Sequence, residues 1–180
     1  KEANLFSEWY IEKKLNKSEQ KEFKKSFNKI VKKLIKKIQQ KNDTFVHRDF
    51  HISNLMMVKN KIGVIDSQDA LLGNKAYDLA SLIDDVRFKT NRELKNEIFD
   101  FYLKTQKLIN KKSFKNDFNI LSVLRNLKII GIFTRLAVRD NKKSYLRLIP
   151  YAWSLIKLRS ENHYNFKDLN NLLKVLNYNK

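Results

Sequence analysis

Two carboxylates and an amide fall within twenty residues of this 180-residue chain, in His47-Arg48-Asp49-Phe50-His51-Ile52-Ser53-Asn54 and then Gly63-Val64-Ile65-Asp66. Phosphoryl transfer needs that set of groups. One carboxylate receives or orients an acceptor hydroxyl, while an amide oxygen and a second carboxylate hold magnesium on a nucleotide's phosphates. Asp49 fits the first role, and Asn54 and Asp66 fit the second. A Gly-rich, phosphate-covering loop and a strand lysine are expected to precede such a site, and neither occurs in this sequence.

Joint spacing carries the reading, because each piece is common alone. A His-Arg-Asp triplet is most often a surface turn. Asp49 and Asn54, however, share one loop after a β-prone run, and Asp66 closes a second apolar run that returns the chain to that loop. Oxygen ligands of this kind suit Mg²⁺, which keeps waters and phosphate oxygens in its shell. A polar-loop hairpin on a helical bundle would leave the order His-Arg-Asp, Asn, apolar strand, Asp unexplained.

The elements that must position these groups are mostly helices. Leu5 to Leu15 reads as a short aromatic-rich helix, and Ser18 as the cap of the next. Phe23, Phe27, Ile30, Val31, Leu34, Ile35 and Ile38 recur at helical spacing, predicting a helix to about residue 41. Thr44 to His47 is β-prone. Leu55–Val58 and Lys61–Ile65 flank a polar Lys59-Asn60 turn and predict a hairpin. A loop from Asp66 to Asn74 then leads into a helix over Tyr77–Val86. Further helices are predicted over 94–109, over 118–138, from Pro150 to about Arg159, and over 169–176. The fold class is α+β, predominantly helical, and residues 1–180 read as one domain.

Composition narrows the function classes. Apolar residues make up 42% of the chain, with 12 Phe, 7 Tyr and 2 Trp, which is enough for a core and argues against disorder. The absence of cysteine excludes disulfides and thiolate metal sites. No apolar run reaches the roughly 20 residues a membrane span needs. The net charge of +19 raises the question of nucleic acid, but the lysines spread over every helix instead of gathering beside aromatics. They read as solvated faces, so nucleic acid is the less supported partner; the positive field would still help recruit a nucleotide. The opening Lys1-Glu2-Ala3-Asn4 resembles neither a signal peptide nor a native start, so the chain reads as a piece of a longer protein.

The run from Phe45 to Met56 resembles the catalytic loop of aminoglycoside phosphotransferase-like kinases, a protein-kinase-like family. Gly63-Val64-Ile65-Asp66-Ser67-Gln68-Asp69-Ala70, Gly73 and Tyr77-Asp78-Leu79-Ala80-Ser81-Leu82 resemble the segments that follow it. Gln68-Asp69-Ala70, Leu5-Phe6-Ser7-Glu8-Trp9-Tyr10 and Gly131-Ile132-Phe133-Thr134-Arg135-Leu136 with Arg139-Asp140 are most similar to bacterial anomeric kinases of N-acetylmuramate and N-acetylglucosamine in cell-wall recycling. The resemblance implies a cytoplasmic kinase with ATP and Mg²⁺ as cofactors and a sugar as substrate. It implies Asp49 as catalytic base, Asn54 and Asp66 as metal ligands, and His51 at the transferred phosphate or packed in the loop. His47, Arg48 and Asp78 would support the loop, with Asp78 accepting its backbone N–H groups or capping its own helix. Asp69 would bond a sugar hydroxyl or simply order its loop, and Arg125, Arg135 and Arg139 would contact a substrate carboxylate, although an ion pair to Asp84 or Asp85 is the simpler expectation for arginines on this apolar helix. It also implies a C-terminal lobe whose N-terminal lobe is absent, so that this piece alone would be inactive.

Three departures from the family pattern stand out. Ser67 replaces an aromatic after the metal aspartate. Ile52-Ser53 stands where the closest branch often carries Ser-Arg. Asn74 takes the place of a proline after Gly73, which predicts a less rigid loop. Two other functions stay open at this stage: the same fold acting on an aminoglycoside, a choline-like amine or homoserine, and a non-catalytic basic module that binds nucleic acid.

Overall fold

The structure, a computed structural model, describes residues 2–106 and 110–176. In chain order it has α1 (Lys17–Ile35), β1 (Thr44–Val46), β2 (Leu55–Val58), β3 (Lys61–Val64), β4 (Leu71–Gly73), α2 (Ala76–Ile83), α3 (Arg92–Thr105), α4 (Lys111–Arg139), α5 (Ile149–Ser160) and α6 (Lys167–Leu173), joined by short 3₁₀ and π turns. Helix dominates, and the strands form two small antiparallel ribbons. The chain packs as two compact units, one formed up to Lys37 and from Val123 on, the other by Ile38–Ser122.

The first unit is organised around aromatic rings. Phe6 stacks on Tyr10 with centroids 5.4 Å apart, meets Trp153 of α5 edge-on at 5.7 Å, and lies against Phe23 and Phe27 of α1. Each such pair adds about 0.5–1.5 kcal/mol to the area it buries. The helix expected over 5–15 is instead a π turn at Phe6–Tyr10 followed by a 3₁₀ turn at Ile11–Lys13. Helix α1 starts one cap earlier than Ser18. Asn16 Oδ1 accepts from Ser18 N and Glu19 N, both at 3.1 Å, and Glu19 Oε2 accepts from Asn16 N at 2.9 Å, which makes a capping box. Asn16→Ala is therefore expected to cost about 1 kcal/mol, read as a lower urea midpoint at unchanged slope.

The second unit holds the strands. Its core packs Ala76, Leu79, Ala80 and Ile83 of α2 against Leu103 of α3 and Phe114 and Phe118 of α4. The expected hairpin is present: β2 pairs with β3 in the register Leu55↔Val64 to Val58↔Lys61. Its two-residue turn has Lys59 at φ 46° and Asn60 at φ 62°, the left-handed pair that matches strand twist. The loop expected over 66–74 contains a strand, β4, which pairs with β1 (Thr44↔Gly73, Phe45↔Leu72, Val46↔Leu71).

Helix boundaries also differ from expectation. Helix α1 ends at Ile35 instead of near residue 41, because Gln39 N and Gln40 N leave the helical ladder and donate to Asp117. Helix α4 begins at Lys111, with Asn110 Oδ1 accepting from Ser113 N at 3.1 Å. Residues 107–109 of the helix expected over 94–109 lie outside the described residues.

Candidate active site

Asp49 and Asn54 lie on the loop between β1 and β2, and Asp66 follows β3. The geometry of this loop starts from an unfavourable backbone. Arg48 sits at φ 73° and Asp66 at φ 70°, left-handed conformations that cost non-glycine residues about 1–3 kcal/mol. Asp78, in the first turn of α2, offsets the first of these. Its carboxylate accepts from His47 N at 2.7 Å and from Arg48 N at 3.0 Å. Hydrogen bonds to a charged acceptor contribute about 1.5–3 kcal/mol each, so two outweigh the strain. The negative charge of Asp78 also reaches Tyr102, whose phenol is raised mainly by burial and further by that charge.

The two chemistry-bearing loops are tied to each other. Asn54 Nδ2 donates to the Asp49 carbonyl at 2.9 Å, so its Oδ1 is the atom left for a ligand. Ile65 N donates to the Asn54 carbonyl at 3.1 Å. His47 Nε2 lies 3.0 Å from the Ile65 carbonyl, which assigns the ring proton to Nε2 and makes His47 a brace between the loops. Arg48 Nη1 donates to the Asp69 carbonyl at 3.2 Å. The segment running into the first loop and the segment running out of the second are thus fastened within a few residues of Asp49 and Asp66.

The carboxylates of Asp49 and Asp66 make no hydrogen bond or ion pair among the described residues, and Asp66 is exposed. No three His, Asp or Glu side chains among the described residues group into a metal cage. That donor set fits Mg²⁺, which takes one or two protein oxygens and completes its shell with water and phosphate. His51 is buried, and its carbonyl accepts from Asn54 N at 2.9 Å.

The sequence profile of the phosphotransferase enzyme family matches residues 2–109, which include every one of these loop residues. The chain belongs to that family. It is 31% identical over 182 aligned residues to the N-acetylmuramate/N-acetylglucosamine kinase of Neisseria meningitidis, an alignment covering 98% of this chain and 54% of the relative. The enzyme of the same name from Caulobacter vibrioides is 34% identical over 114 residues, covering 61% of this chain and 31% of the relative. That of Pseudomonas aeruginosa is 28% identical over 182 residues, covering 98% and 54%. The chain spans about half the length of the curated relatives it matches over nearly its whole extent.

One support of these loops was not singled out in that role from the sequence. Asp85 is buried and accepts from Ile52 N at 3.2 Å and Arg87 N at 3.0 Å, which holds the 3₁₀ turn that presents Asn54. Two acids in a row at the end of an apolar helix were the available signal. The expected arginine pairs resolve differently: Lys95 pairs with Asp84 at 3.2 Å, and Arg87 with Asp85 at 3.5 Å. Arg139 pairs with its neighbour Asp140 through Nε at 2.7 Å and Nη2 at 3.0 Å. That hydrogen bond is the main reason the Asp140 carboxyl lies below its ordinary value. Arg135 lies on the same helix, half-buried, with no hydrogen-bond partner for Nε among the described residues. Both arginines belong to the first unit, whereas the loop residues belong to the second. Asn74 is buried, donates through Nδ2 to Asp117 at 2.9 Å, and accepts through Oδ1 from Ala76 N at 2.9 Å.

Proposed function

We propose that the intact protein is an ATP-dependent kinase that phosphorylates a sugar hydroxyl, the anomeric one of N-acetylmuramate or N-acetylglucosamine. One observation carries the phosphotransfer part. The Asn54 amide is pinned to the backbone of Asp49 while the carboxylates of Asp49 and Asp66 stay unengaged, so acceptor and metal groups are presented from one braced loop pair. The shared name of the relatives supports the sugar.

In this reading Asp49 accepts a hydrogen bond from the acceptor hydroxyl and takes its proton as the hydroxyl oxygen attacks the γ-phosphorus. The bond from that phosphorus to the bridging oxygen breaks, and ADP leaves. Asn54 Oδ1 and Asp66 would hold Mg²⁺, which supplies charge neutralisation on the phosphates. Arg48, Asp78 and Asp85 keep the loops in place, and His47 keeps them joined. A second lobe with a Gly-rich loop and a lysine would precede this chain in the intact protein and complete the nucleotide site. The β2–β3 hairpin is consistent with such a lobe, since Met57 is 73% and Ile62 65% exposed. No helix among the described residues is long and apolar enough to cross a membrane.

The test is an acceptor panel on the intact protein with Mg·ATP, following ADP release. N-acetylmuramate and N-acetylglucosamine are expected to stimulate turnover and yield an acid-labile sugar phosphate. A higher kcat/KM with an aminoglycoside, choline or homoserine overturns the sugar assignment. Steeply salt-dependent RNA or DNA binding, with no Mg·ATP binding, overturns the kinase reading altogether.

A further inference from the structure

We propose that Asp117 and Asn74 are positioning residues of the phosphotransfer site, acting as a buried clamp on both strands of the β1–β4 ribbon at its Thr44–Gly73 end. The functional part rests on the kinase reading; the structural part stands without it.

Asp117 lies in α4 and is fully buried, at 0% exposure. Every partner it has among the described residues is a neutral N–H donor. Gln39 N donates at 2.9 Å to Oδ1, Gln40 N at 2.7 Å to Oδ2, Asn74 Nδ2 at 2.9 Å to Oδ2, and Asn116 Nδ2 at 3.1 Å to Oδ1. No cation is among them. A buried carboxylate without a cation is held only by such donors, so each is under strong pressure to stay in place.

The donors come from two stretches of chain that matter for the site. Gln39 and Gln40 precede β1, whose end runs directly into His47, Arg48 and Asp49. Asn74 follows β4, which closes the segment that begins at Asp66. One carboxylate therefore ties together, at the far end of the ribbon, the strand that runs into the Asp49 loop and the strand that closes the Asp66 segment. Asn74 then passes the constraint on. Its Oδ1 accepts from Ala76 N at the start of α2, and two residues later Asp78 holds the amides of His47 and Arg48. A proline at position 74 would stiffen the backbone locally but has no side-chain donor to offer Asp117. Here the asparagine replaces local stiffness with a connection between segments.

The experiment uses the intact protein with Asn74→Ala, Asp117→Asn and the double variant Asn74→Asp/Asp117→Asn. Asp117→Asn alone replaces one of two accepting oxygens with an NH2 group, so in either amide orientation a donor faces donors: Gln40 N and Asn74 Nδ2, or Gln39 N and Asn116 Nδ2. Adding Asn74→Asp gives that NH2 group an acceptor at position 74 and restores one donor–acceptor pair. Misplacement of reacting groups by about 1 Å costs on the order of 10²-fold in rate. Each single variant, assayed well below its own melting temperature, is expected to lose between about ten- and a hundredfold in kcat with a raised Mg²⁺ requirement. KM for the sugar should move far less, and the double variant should recover part of kcat. Amide hydrogen exchange supplies a readout that needs no activity. The His47 and Arg48 amides are expected to exchange faster in Asn74→Ala together with those of Gln39, Gln40 and Ala76. Unchanged kcat and Mg²⁺ dependence in folded single variants of an active enzyme overturns the positioning role. Faster exchange at Gln39, Gln40 and Ala76 with His47 and Arg48 unmoved overturns the transmission. If the wild-type protein proves to have no kinase activity, the exchange result alone decides the clamp. Should Asp117→Asn fail to fold, Asn74→Ala, which leaves the Gln39 and Gln40 bonds intact, decides it.

Discussion

Asp49→Asn in the intact protein is expected to lower kcat by about 10³-fold while leaving Mg·ATP affinity within a few-fold, in line with the 10²–10⁴-fold that a positioned base contributes. The structure makes this a clean substitution. The backbone of Asp49 is held independently of its side chain, since its carbonyl accepts from Asn54 Nδ2 at 2.9 Å and from His51 N at 3.0 Å. Its carboxylate makes no bond among the described residues that the amide would break. The change therefore removes a proton acceptor at nearly constant shape. The loop, the Asn54 oxygen and Asp66 all stay where they are, so nucleotide binding by calorimetry should survive. Retention of more than a few per cent of wild-type kcat would falsify the role given to Asp49, whatever the acceptor proves to be.

The arrangement of this candidate site was legible because it is local in sequence. Asp49, Asn54 and Asp66 sit at spacings that a strand, a turn and a second strand convert directly into proximity, and β1, β2 and β3 form where their β-prone runs place them. What supports the site was less legible, because it is non-local. β4 is only three residues long and gains its identity from pairing with β1, so periodicity within Leu71–Gly73 could not reveal it. Asp117 is one acid in a helical stripe. Its meaning depends on donors from Gln39, Gln40 and Asn74, segments that nothing in the local pattern brings to it. The same dependence explains the error at the end of α1. The apolar stripe continues past Ile35, but the amides of Gln39 and Gln40 find a buried carboxylate, a stronger acceptor than the next helical carbonyls. The departure at Asn74 was visible in the sequence, and its partner was not. A residue that looks like lost stiffness by itself is a link once Asp117 is known.

Gly131→Ala is expected to destabilise the protein by about 3 kcal/mol or more, the upper range for overpacking a core. Propensity alone predicts the opposite. In a helix interior alanine is favoured over glycine by about 0.8–1.0 kcal/mol, and Gly131 lies well inside α4. The difference is what a Cβ would meet. Built on Gly131, it collides with the carbonyl of Leu5 and the amide of Phe6, backbone atoms with no flexible end to swing aside. Nor can that segment withdraw cheaply. Phe6 is fully buried and packed on Tyr10, Phe23, Phe27 and Trp153, so backing off from α4 would open the whole aromatic cluster. At about 2–4 °C per kcal/mol for a domain of this size, the melting temperature should fall by roughly 6–12 °C. Gly63→Ala is the matched control, because the atoms nearest its new methyl, the Met56 carbonyl oxygen and Val58 Cγ2, are both 3.7 Å away, an ordinary contact. Calorimetric melting of the two variants beside wild type decides the matter. If Gly131→Ala melts at or above the wild-type temperature, helix propensity has won and the close approach of Leu5 to α4 is not a constraint on this fold.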